Sequence, residues 1–255
     1  MRYAARLATL GPSAGARLRI FAATLYLVAR NRLRLPPARS IVLRLATPGG
    51  SFSAVVDQIS DMHAVDEILL RRQYDHELGA TPQTIVDLGS HIGISVGYFR
   101  RRYPDARIFA FEPNPRSFAK LQRVIAGMDG VVARNVALSD RSGEAMLHAA
   151  DRPLRASLTA SCESGRAVTV QTTTLERAVR ELSIDRIGLL KIDVEGAELD
   201  VLSAFEQIDR VETIVGELHP TLLGARAGDL LELLSGHDVR TWPAGDDIMF
   251  LARRR

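Results

Sequence analysis

Cysteine, lysine and long apolar runs are scarce in this sequence. One cysteine, Cys162, occurs among 255 residues, and two of the 33 basic side chains are lysines. A single cysteine excludes an internal disulfide framework and any zinc or iron–sulfur site built from several cysteines. With 19 glycines and 11 prolines, the chain has no collagen-like or low-complexity tract. Hydrophobic residues make up 46% and charged residues 25%, a mixture typical of a folded globular protein.

No apolar run near the start is long enough to cross a membrane. The longest, residues 20–29, has ten residues, whereas a transmembrane helix needs about 20. Arginines stand on both sides of this run, where a secretory signal would have its small-residue cleavage site. Secretion is therefore not expected, and we predict a cytoplasmic protein.

Acidic residues are missing from the first 56 positions, which carry nine arginines. Residues 57–255 hold 24 basic and 30 acidic side chains, so the net charge of +3 comes from the N-terminal stretch alone. Because the rest of the chain is mildly acidic, we do not expect nucleic acid to be its main ligand.

The arginine-rich stretch also has apolar residues at helical spacing. They are Leu18, Phe21, Ala22, Leu25, Val28 and Ala29, with arginines at positions 17, 19 and 30. A basic amphipathic helix of this kind either packs its apolar face against the main domain or lies on an anionic membrane surface. We expect packing, because apolar helical faces usually belong to the core. A membrane-surface contact is the alternative.

Strand-like and helix-like stretches alternate from residue 81 onward. The predicted strands are residues 84–88, 107–111, 131–135, 187–193 and 211–218, and the predicted helices are residues 94–102, 116–125, 175–182, 197–205 and a segment around 228–234. This alternation predicts an α/β fold with a doubly wound, mostly parallel sheet. Residues 239–242 and 248–251 flank a turn and predict a C-terminal antiparallel hairpin, which is more typical of methyltransferase sheets than of dinucleotide-dependent dehydrogenases.

Three regions are expected along the chain. Residues 1–37 form a basic helical leader, residues 38–80 a cap region with a charged helical pattern, and residues 81–255 the main α/β domain. Residues 143–172, rich in Ser, Thr, Gly and Ala, interrupt the alternation and predict a hairpin or flexible insert. Residues 149–172, which include Cys162, are expected to cover an acceptor, since long polar inserts beside a site often form lids.

The first candidate site follows the first strand of this domain. Asp87 ends the strand, and Gly89 and Gly93 bracket the loop before the next helix. Glycine allows a sharp backbone turn and the close approach of a ligand. The Gly-x-x-x-Gly spacing differs from the Gly-x-Gly-x-x-Gly of dinucleotide binders and from a phosphate-binding P-loop. A nicotinamide-dependent oxidoreductase, the alternative enzyme class, is disfavoured by this difference.

Two further loops suit the parts of a nucleoside. Glu112 ends the next strand, 25 residues after Asp87, where a carboxylate can accept both hydroxyl groups of a ribose. Residues 135–140 follow the third strand and offer apolar groups to sandwich an adenine, with Asp140 or a backbone group available for its amino edge.

Ionisable residues cluster after the last parallel strands. Lys191, Asp193, Glu195 and Glu198 fall within eight residues, and burying such charges is costly unless they pair or take part in chemistry. We expect Glu198 to be structural and Asp193 or Glu195 to be functional. His219, after the strand 211–218, is placed to take a proton near neutral pH. Asp193, Glu217 and His219 lack diagnostic metal-ligand spacing, so no metal site is predicted, although metal assistance stays open.

Taken together, these segments resemble the FkbM family of S-adenosylmethionine-dependent methyltransferases. The matching stretches are residues 84–93 (TIVDLGSHIG), 111–115 (FEPNP), 137–140 (ALSD), 173–175 (TTL) and 191–198 (KIDVEGAE). Residues 191–198, which follow the Glu-Pro motif along the chain in the order expected for the family, are the stretch most specific for it. The resemblance implies the class I methyltransferase (Rossmann-like) fold, S-adenosyl-L-methionine as cofactor and O-methylation of a hydroxyl on a small molecule such as a sugar or polyketide.

The resemblance also implies roles for individual residues. Asp87, Gly89 and Gly93 would surround the methionine part of the cofactor, together with Ser90 and His91, where the family commonly has Ala-Asn. The remaining expected cofactor contacts are Glu112, Asn114, Ala137 and Asp140, and the expected catalytic residues are Lys191, Asp193, Glu195 and His219. A catalytically silent binding protein with the same fold is the non-enzymatic alternative, and the acceptor and the oligomeric state are left open.

Overall fold

The chain folds into two units, each built from several separate segments. The computed structural model describes residues 1–149, 156–157 and 167–255. Met1–His76, Ser90–Pro104 and Arg116–Asp129 form the first, which we call the N-terminal unit. Glu77–Gly89, Asp105–Pro115 and Gly130–Arg255 form the second, which we call the sheet unit. The domain boundaries expected at residues 37 and 80 stay predictions.

The N-terminal unit combines helices with a β-hairpin. Its helices are α1 (Arg2–Ala8), α2 (Ala14–Arg32), α3 (Ile59–Val65), α4 (Ile94–Arg102) and α5 (Pro115–Ile125, from Arg116 onward in this unit), and a π-helical turn spans Asp66–Leu70. Strands β1 (Ile41–Thr47) and β2 (Gly50–Val56) pair antiparallel across a two-residue turn. The charged helical pattern predicted for residues 38–80 did not include this hairpin.

The arginine-rich helix packs as expected, but mostly through a face other than the one predicted. Helix α2 buries Ile20, Ala23, Thr24 and Leu27, which follow one another at helical spacing. This face packs against α1, β1 and α3. The hydroxyl of Thr24 donates a hydrogen bond to the Ile20 carbonyl at 2.7 Å, which satisfies the one polar group on the buried face. Of the residues predicted to pack, Val28 contacts this core from the flank, whereas Leu18, Ala22, Leu25 and Ala29 lie on the opposite side of the helix, and Leu18 is 69% exposed.

The sheet unit contains the alternating strands and helices. Its strands are β3 (Thr84–Leu88), β4 (Arg107–Phe111), β5 (Val131–Arg134), β6 (Ala137–Leu138), β7 (Gly143–Ala149), β8 (Ala156–Ser157), β9 (Ala167–Thr173), β10 (Leu189–Ile192), β11 (Thr213–Leu218), β12 (His237–Ala244) and β13 (Asp247–Arg254). Its helices are α6 (Leu175–Glu181), α7 (Glu198–Ser203), α8 (Pro220–Leu223) and α9 (Ala227–Leu233), with 3-10 turns at Ile208–Arg210 and Gly224–Arg226.

Seven of these strands form the central sheet, in the order β12-β13-β11-β10-β3-β4-β5. The pairs from β11 to β5 are all parallel, while β13 runs antiparallel to both β11 and β12. Helices α6, α7 and α9 contribute Leu175, Leu199 and Leu230 to the apolar core of this unit, together with Val86 and Ile192 of the strands. The predicted α/β class, the mostly parallel sheet and the C-terminal antiparallel hairpin are confirmed.

The described part of the stretch that interrupts the alternation pairs with β6 in a separate small sheet, in the order β6-β9-β7-β8. A hairpin was one of the two expectations for this stretch, and β7 pairs antiparallel with β9. Of the lid predicted over residues 149–172, positions 150–155 and 158–166, with Cys162, lie outside the described residues. Among the helices that the structure describes, none is both long and apolar enough to span a bilayer.

Candidate active site

The carboxyl ends of β3, β4, β10 and β11 bring most predicted site residues of the sheet unit to one edge, whereas Ala137 and Asp140 lie on and after β6 of the second sheet. Strand order reverses between β3 and β10, and ligands of such sheets bind beyond the strand ends at this switch point. Asp87 of β3 and Lys191 of β10 face each other in register. Glu112 directly follows β4, and His219 directly follows β11.

Gly89 begins the turn that leaves β3. Its φ of +77° lies in the left-handed region that glycine adopts without strain. Its backbone N–H donates to the Phe111 carbonyl at 3.0 Å, which ties the turn to the end of β4. A Cβ at this position would overlap the carbonyl oxygen of Asp193. The turn therefore requires glycine for its conformation and for the close approach of the backbone after β10.

Lys191 is a buried cation that holds this turn in place. Its side chain is 2% exposed, and its Nζ lies 3.2 Å from Oδ1 of the fully buried Asp87. The same Nζ donates to the carbonyl of Leu88 at 3.1 Å and to that of Gly89 at 2.6 Å. Burial disfavours the charged amine, but the carboxylates of Asp87, Asp193 and Glu112 outweigh it and raise the pKa of Lys191. These contacts favour a positioning role over contact with a substrate.

Glu112 lies in a turn that its own side chain stabilises. The residue is buried, and its Oε1 accepts a hydrogen bond from the backbone N–H of Asn114 at 2.8 Å. Asn135, from the loop after β5, donates through Nδ2 to the carbonyls of Glu112 at 2.8 Å and Pro113 at 2.9 Å. The sequence analysis included Asn135 in a candidate loop but predicted no role for it. Its contact with the Glu112 turn depends on the pairing of β4 with β5, which sequence spacing does not show.

The two predicted contacts in the adenine loop, Ala137 and Asp140, differ in burial. Ala137 is buried with Leu147 and Val170 in the small core of the second sheet. Asp140 is exposed, and its Oδ1 accepts a hydrogen bond from the Ser139 hydroxyl at 3.0 Å. Ala137 therefore packs within the protein, whereas Asp140 stays accessible to a ligand.

A cavity of about 650 Å³ opens beside the ends of β4 and β5. Its lining includes Phe111 and Asn135, together with Arg177 of α6 and Thr172 of β9. Its volume falls in the range of small-molecule sites, about 300–1,000 Å³.

The remaining predicted cofactor contacts belong to the N-terminal unit. Gly93 has a φ of +87° and precedes α4, and its N–H donates to the Ser90 carbonyl at 2.8 Å. His91 has a positive φ of 47°, and its Nε2 lies 3.9 Å from Oδ1 of the buried Asp61. These contacts define the shape of the loop, and cofactor binding by Ser90, His91 and Gly93 stays a prediction.

His219 forms the centre of an acidic cluster. Its Nδ1 lies 2.9 Å from Oε1 of Glu198, and its Nε2 faces Glu195 at 3.4 Å and Asp193 at 3.9 Å. Glu198 is fully buried and also accepts hydrogen bonds from the N–H groups of Val194 and Gly196 at 3.0–3.1 Å. The expectation that Glu198 is structural did not include this contact with His219, since sequence spacing does not show which strand end lies beside α7.

The acidic neighbours change the charge state of His219. Burial lowers its pKa, but the hydrogen bond to Glu198 and the charges of Glu198, Asp193 and Glu195 raise the pKa to about 10. The imidazole is therefore protonated at neutral pH. The expectation that His219 takes up a proton near neutral pH is wrong for this arrangement, because the proton is already bound.

Among the residues that the structure describes, two overlapping groups of side chains have the chemistry of metal ligands. Asp193, Glu195 and His219 form one group and Glu217, His219 and Asp247 the other, with ligand atoms within 4.8 Å of one another in each. An imidazolium in this position already supplies positive charge to the carboxylates. An imidazolium and a divalent ion are therefore alternative sources of positive charge for the same carboxylates.

The sequence matches a family model described as the methyltransferase FkbM domain, over residues 87–241. Methyltransferase sdnD of Sordaria araneosa is 31% identical over 240 residues, covering 78% of this chain and 92% of that protein. The 31-O-demethyl-FK506 methyltransferase FkbM of Streptomyces tacrolimicus is 29% identical over 257 residues, covering 84% of this chain and 98% of that protein. These matches favour a methyltransferase over a nicotinamide-dependent oxidoreductase.

Solved structures share the fold. The crystal structure of methyltransferase FkbM from Methylobacillus flagellatus KT superposes with a TM-score of 0.50 and 11% sequence identity. The match covers 98% of this chain and 58% of that chain. At this identity the likeness concerns the fold alone, and it agrees with the mostly parallel α/β sheet.

Proposed function

The chain belongs to the FkbM family of methyltransferases, and we propose that it transfers a methyl group from S-adenosyl-L-methionine to a hydroxyl oxygen of a small molecule. The observation that carries this proposal is the gathering of Asp193, Glu195 and His219 beside the Gly89 turn, at the switch point of the sheet. This family and fold typically use S-adenosyl-L-methionine as methyl donor.

The residues of the sheet unit suit the parts of this cofactor. Glu112 presents a carboxylate at the end of β4, where it can accept hydrogen bonds from ribose hydroxyls. The absence of a side chain at Gly89, with the carbonyl of Asp193 beside it, leaves backbone groups to bind the methionine part. Asp140 and the cavity lined by Phe111 and Asn135 are available to the adenine.

Asp193 is the group proposed to take the hydroxyl proton. When bound, the cofactor supplies an electrophilic methyl group on a sulfonium sulfur. Asp193 is 26% exposed and can be reached by an acceptor, whereas His219 is 3% exposed and already protonated. The hydroxyl proton becomes strongly acidic as its oxygen is methylated, so a carboxylate suffices to accept it.

The two cations beside Asp193, Lys191 and His219, position the surrounding backbone and balance the negative charge of the carboxylates. Lys191 holds the Gly89 turn, and His219 keeps Asp193 and Glu195 in place through their opposite charges. Most of the rate enhancement would come from fixing the acceptor oxygen in line with the methyl group, since such positioning contributes about 7–11 kcal/mol in favourable cases.

A small-molecule acceptor is supported by two observations. The relative from Streptomyces tacrolimicus is named a 31-O-demethyl-FK506 methyltransferase, and this name refers to an oxygen atom of a small molecule. Residues 57–255 carry more acidic than basic side chains, which disfavours a polyanionic acceptor such as nucleic acid. We further propose that the transfer needs no divalent metal, because the ring of His219 already lies within 4 Å of the carboxylates of Asp193 and Glu195.

A cytoplasmic location belongs to the same proposal. The proposed methyl donor is a cytoplasmic metabolite, and a chain with one cysteine has no internal disulfide that would need an oxidising compartment. Fractionation of the producing cells, with the chain detected by antibody, tests the location.

Calorimetric titration of the purified chain tests the cofactor. We expect binding of S-adenosylmethionine and S-adenosylhomocysteine in the micromolar range and none of NADH. Failure of both adenosyl ligands to bind would contradict the proposal. A panel of hydroxyl acceptors with labelled cofactor, with and without EDTA, then tests transfer. Binding without transfer to any acceptor would favour the catalytically silent alternative, and loss of transfer in EDTA would contradict the metal-free mechanism.

A further inference from the structure

Helix α2 is apolar on two opposite sides. One side, with Ile20, Ala23 and Leu27, is buried in the core of the N-terminal unit. The opposite side carries Leu18, Ala22, Leu25 and Ala29, which are exposed or half-buried and lie about 180° around the helix from the buried residues at 100° per residue. A second apolar side that no core covers is expected to contact something else.

The exposed apolar surface continues past the end of the helix. Tyr26 is 46% exposed, Leu33 69% and Leu35 47%. Together with Leu18, Ala22, Leu25 and Ala29 they form what we call the outer stripe of α2. Within the helix, which ends at Arg32, the stripe spans about 22 Å from Leu18 onward. Large apolar side chains grouped in this way on one helix differ from the scattered exposed residues of an ordinary surface.

Positive charge borders the outer stripe on both sides. Arg19 and Arg32 are exposed at its two margins. Arg30 lies over the Tyr26 ring at 5.4 Å and donates to its hydroxyl at 3.3 Å, so this guanidinium stays at the edge of the stripe. Since α2 contains four arginines and no acidic residue, every charge that the helix itself places beside the stripe is positive.

We propose that the outer stripe of α2 binds the surface of an anionic lipid bilayer. The helix would lie in the plane of the interface, with Leu18 and Leu25 among the acyl chains next to the headgroups and the arginines against the lipid phosphates. Helices with an apolar stripe and basic margins bind in this way. Long arginine side chains reach from the edge of an apolar surface to the headgroups.

A second copy of the chain is a poorer partner for the same surface. Two outer stripes facing each other would bring Arg19 and Arg32 of each chain close to their counterparts, and like charges repel in such an interface. Anionic lipids supply the opposite charge, at about 1 kcal/mol for each basic residue near the surface. Charge complementarity therefore selects the bilayer. The proposal does not depend on the methyl transfer.

Flotation of the full chain with lipid vesicles tests this proposal. One set of vesicles contains phosphatidylcholine alone, and the other also contains about 30 mol% phosphatidylglycerol, enough for a negative surface potential. We expect the chain to float with the anionic vesicles at low salt, to bind the neutral vesicles at least tenfold more weakly, and to be released from the anionic vesicles by high salt.

Two variants separate the apolar and charged contributions. Leu18→Glu changes an exposed side chain, so the fold is retained, and it should lower binding to anionic vesicles about tenfold or more. The double variant Arg19→Gln/Arg32→Gln should also weaken this binding at least tenfold. Met146→Glu is the matched control, because Met146 is 46% exposed on β7 of the sheet unit and should leave vesicle binding unchanged.

Three outcomes would overturn the proposal. One is equal binding to neutral and anionic vesicles, and another is the same loss of binding from Met146→Glu as from Leu18→Glu. The third is a stable dimer in light scattering that Leu18→Glu dissociates, which would assign the outer stripe to a second copy of the chain.

Discussion

Nδ1 of His219 lies 2.9 Å from Oε1 of Glu198, joining the end of β11 to the first turn of α7. Both side chains are buried, and the same carboxylate accepts hydrogen bonds from the backbone of the loop between β10 and α7. One residue thus orders the loop that carries Asp193 and Glu195 and also fixes the ring that faces them. The position of the proposed base and the charge of His219 therefore depend on Glu198.

Replacing Glu198 should change the titration of His219. In Glu198→Gln the hydrogen-bonding geometry is largely kept, but the strongest opposing charge is lost, so the pKa of His219 should fall from about 10 towards its usual 6.5. Titration of the His219 ring by NMR measures the change. Glu195→Gln is the control, because its carboxylate lies farther from the ring, at 3.4 Å, and should produce a smaller fall. An unchanged pKa in Glu198→Gln would contradict this assignment.

Stability should depend on alkaline pH through the same histidine. The pKa of His219 is raised from 6.5 in the unfolded chain to about 10 in the folded protein, so the folded state binds the extra proton between these values. The contribution is complete below pH 6.5 and decreases as the pH rises to about 10, by an amount on the order of a few kcal/mol. Urea unfolding across this range measures it.

The matched variant for this pH dependence is His219→Gln, which removes the titrating ring. It should be less stable than the wild type near pH 6.5, and its free energy of unfolding should vary less between pH 6.5 and 10. An equally steep decline in both proteins would show that other groups cause it.

Replacing Gly89 tests two requirements of the turn separately: the positive φ of the backbone and the lack of space for a Cβ atom. Gly89 and Gly127 both have a φ of +77°, but a Cβ at Gly89 overlaps the Asp193 carbonyl, whereas a Cβ at Gly127 meets nothing within 4 Å. Gly127→Ala should cost about 1–2 kcal/mol for its conformation. Gly89→Ala should cost that amount and at least about 1–3 kcal/mol more. Equal losses in chemical denaturation would show that the backbone after β10 moves away easily.

Much of the sheet unit was predictable, because its signals are local. Buried parallel strands appear as short apolar runs, and helices separate them at regular intervals, so the alternation from residue 81 predicted the central sheet. The carboxyl ends of parallel strands meet at one edge, so Asp87, Glu112 and His219 were expected there and are found there. The C-terminal hairpin followed from two apolar runs around a turn rich in Gly and Asp.

The features that were missed depend on packing between distant segments. Helix α2 has apolar residues around most of its circumference, so periodicity alone does not select the face that packs against α1, β1 and α3. The contact of Glu198 with His219 joins residues 21 positions apart and requires the end of β11 to lie beside α7.

The hairpin of β1 and β2 was also missed, but for a different reason. The alternation of Leu43, Leu45, Phe52 and Ala54 carries a strand signal that was available in the sequence.

Removing the buried charge of Lys191 should destabilise the sheet unit. Lys191→Met leaves Asp87 buried beside an apolar side chain, which costs about 3–5 kcal/mol when one partner of a buried pair is lost. Thermal or urea unfolding measures the loss. The double variant Lys191→Met/Asp87→Asn should recover part of it, since no unpaired charge then stays buried. A double variant less stable than Lys191→Met alone would show that Asp87 is not the group left uncompensated.

Cofactor binding and methyl transfer should respond to different carboxylates. Glu112→Ala removes the proposed ribose acceptor and should weaken S-adenosylhomocysteine binding about 10-fold to 100-fold, the effect of losing hydrogen bonds to a charged group. Asp193→Asn should leave this affinity nearly intact and lower the transfer rate by roughly 100-fold or more. Calorimetry and single-turnover transfer under saturating cofactor measure the two effects separately. If Asp193→Asn keeps its rate within a few-fold of the wild type, Asp193 is not the base, and Glu195→Gln then becomes the variant expected to lose transfer, because Glu195 is the other carboxylate facing His219.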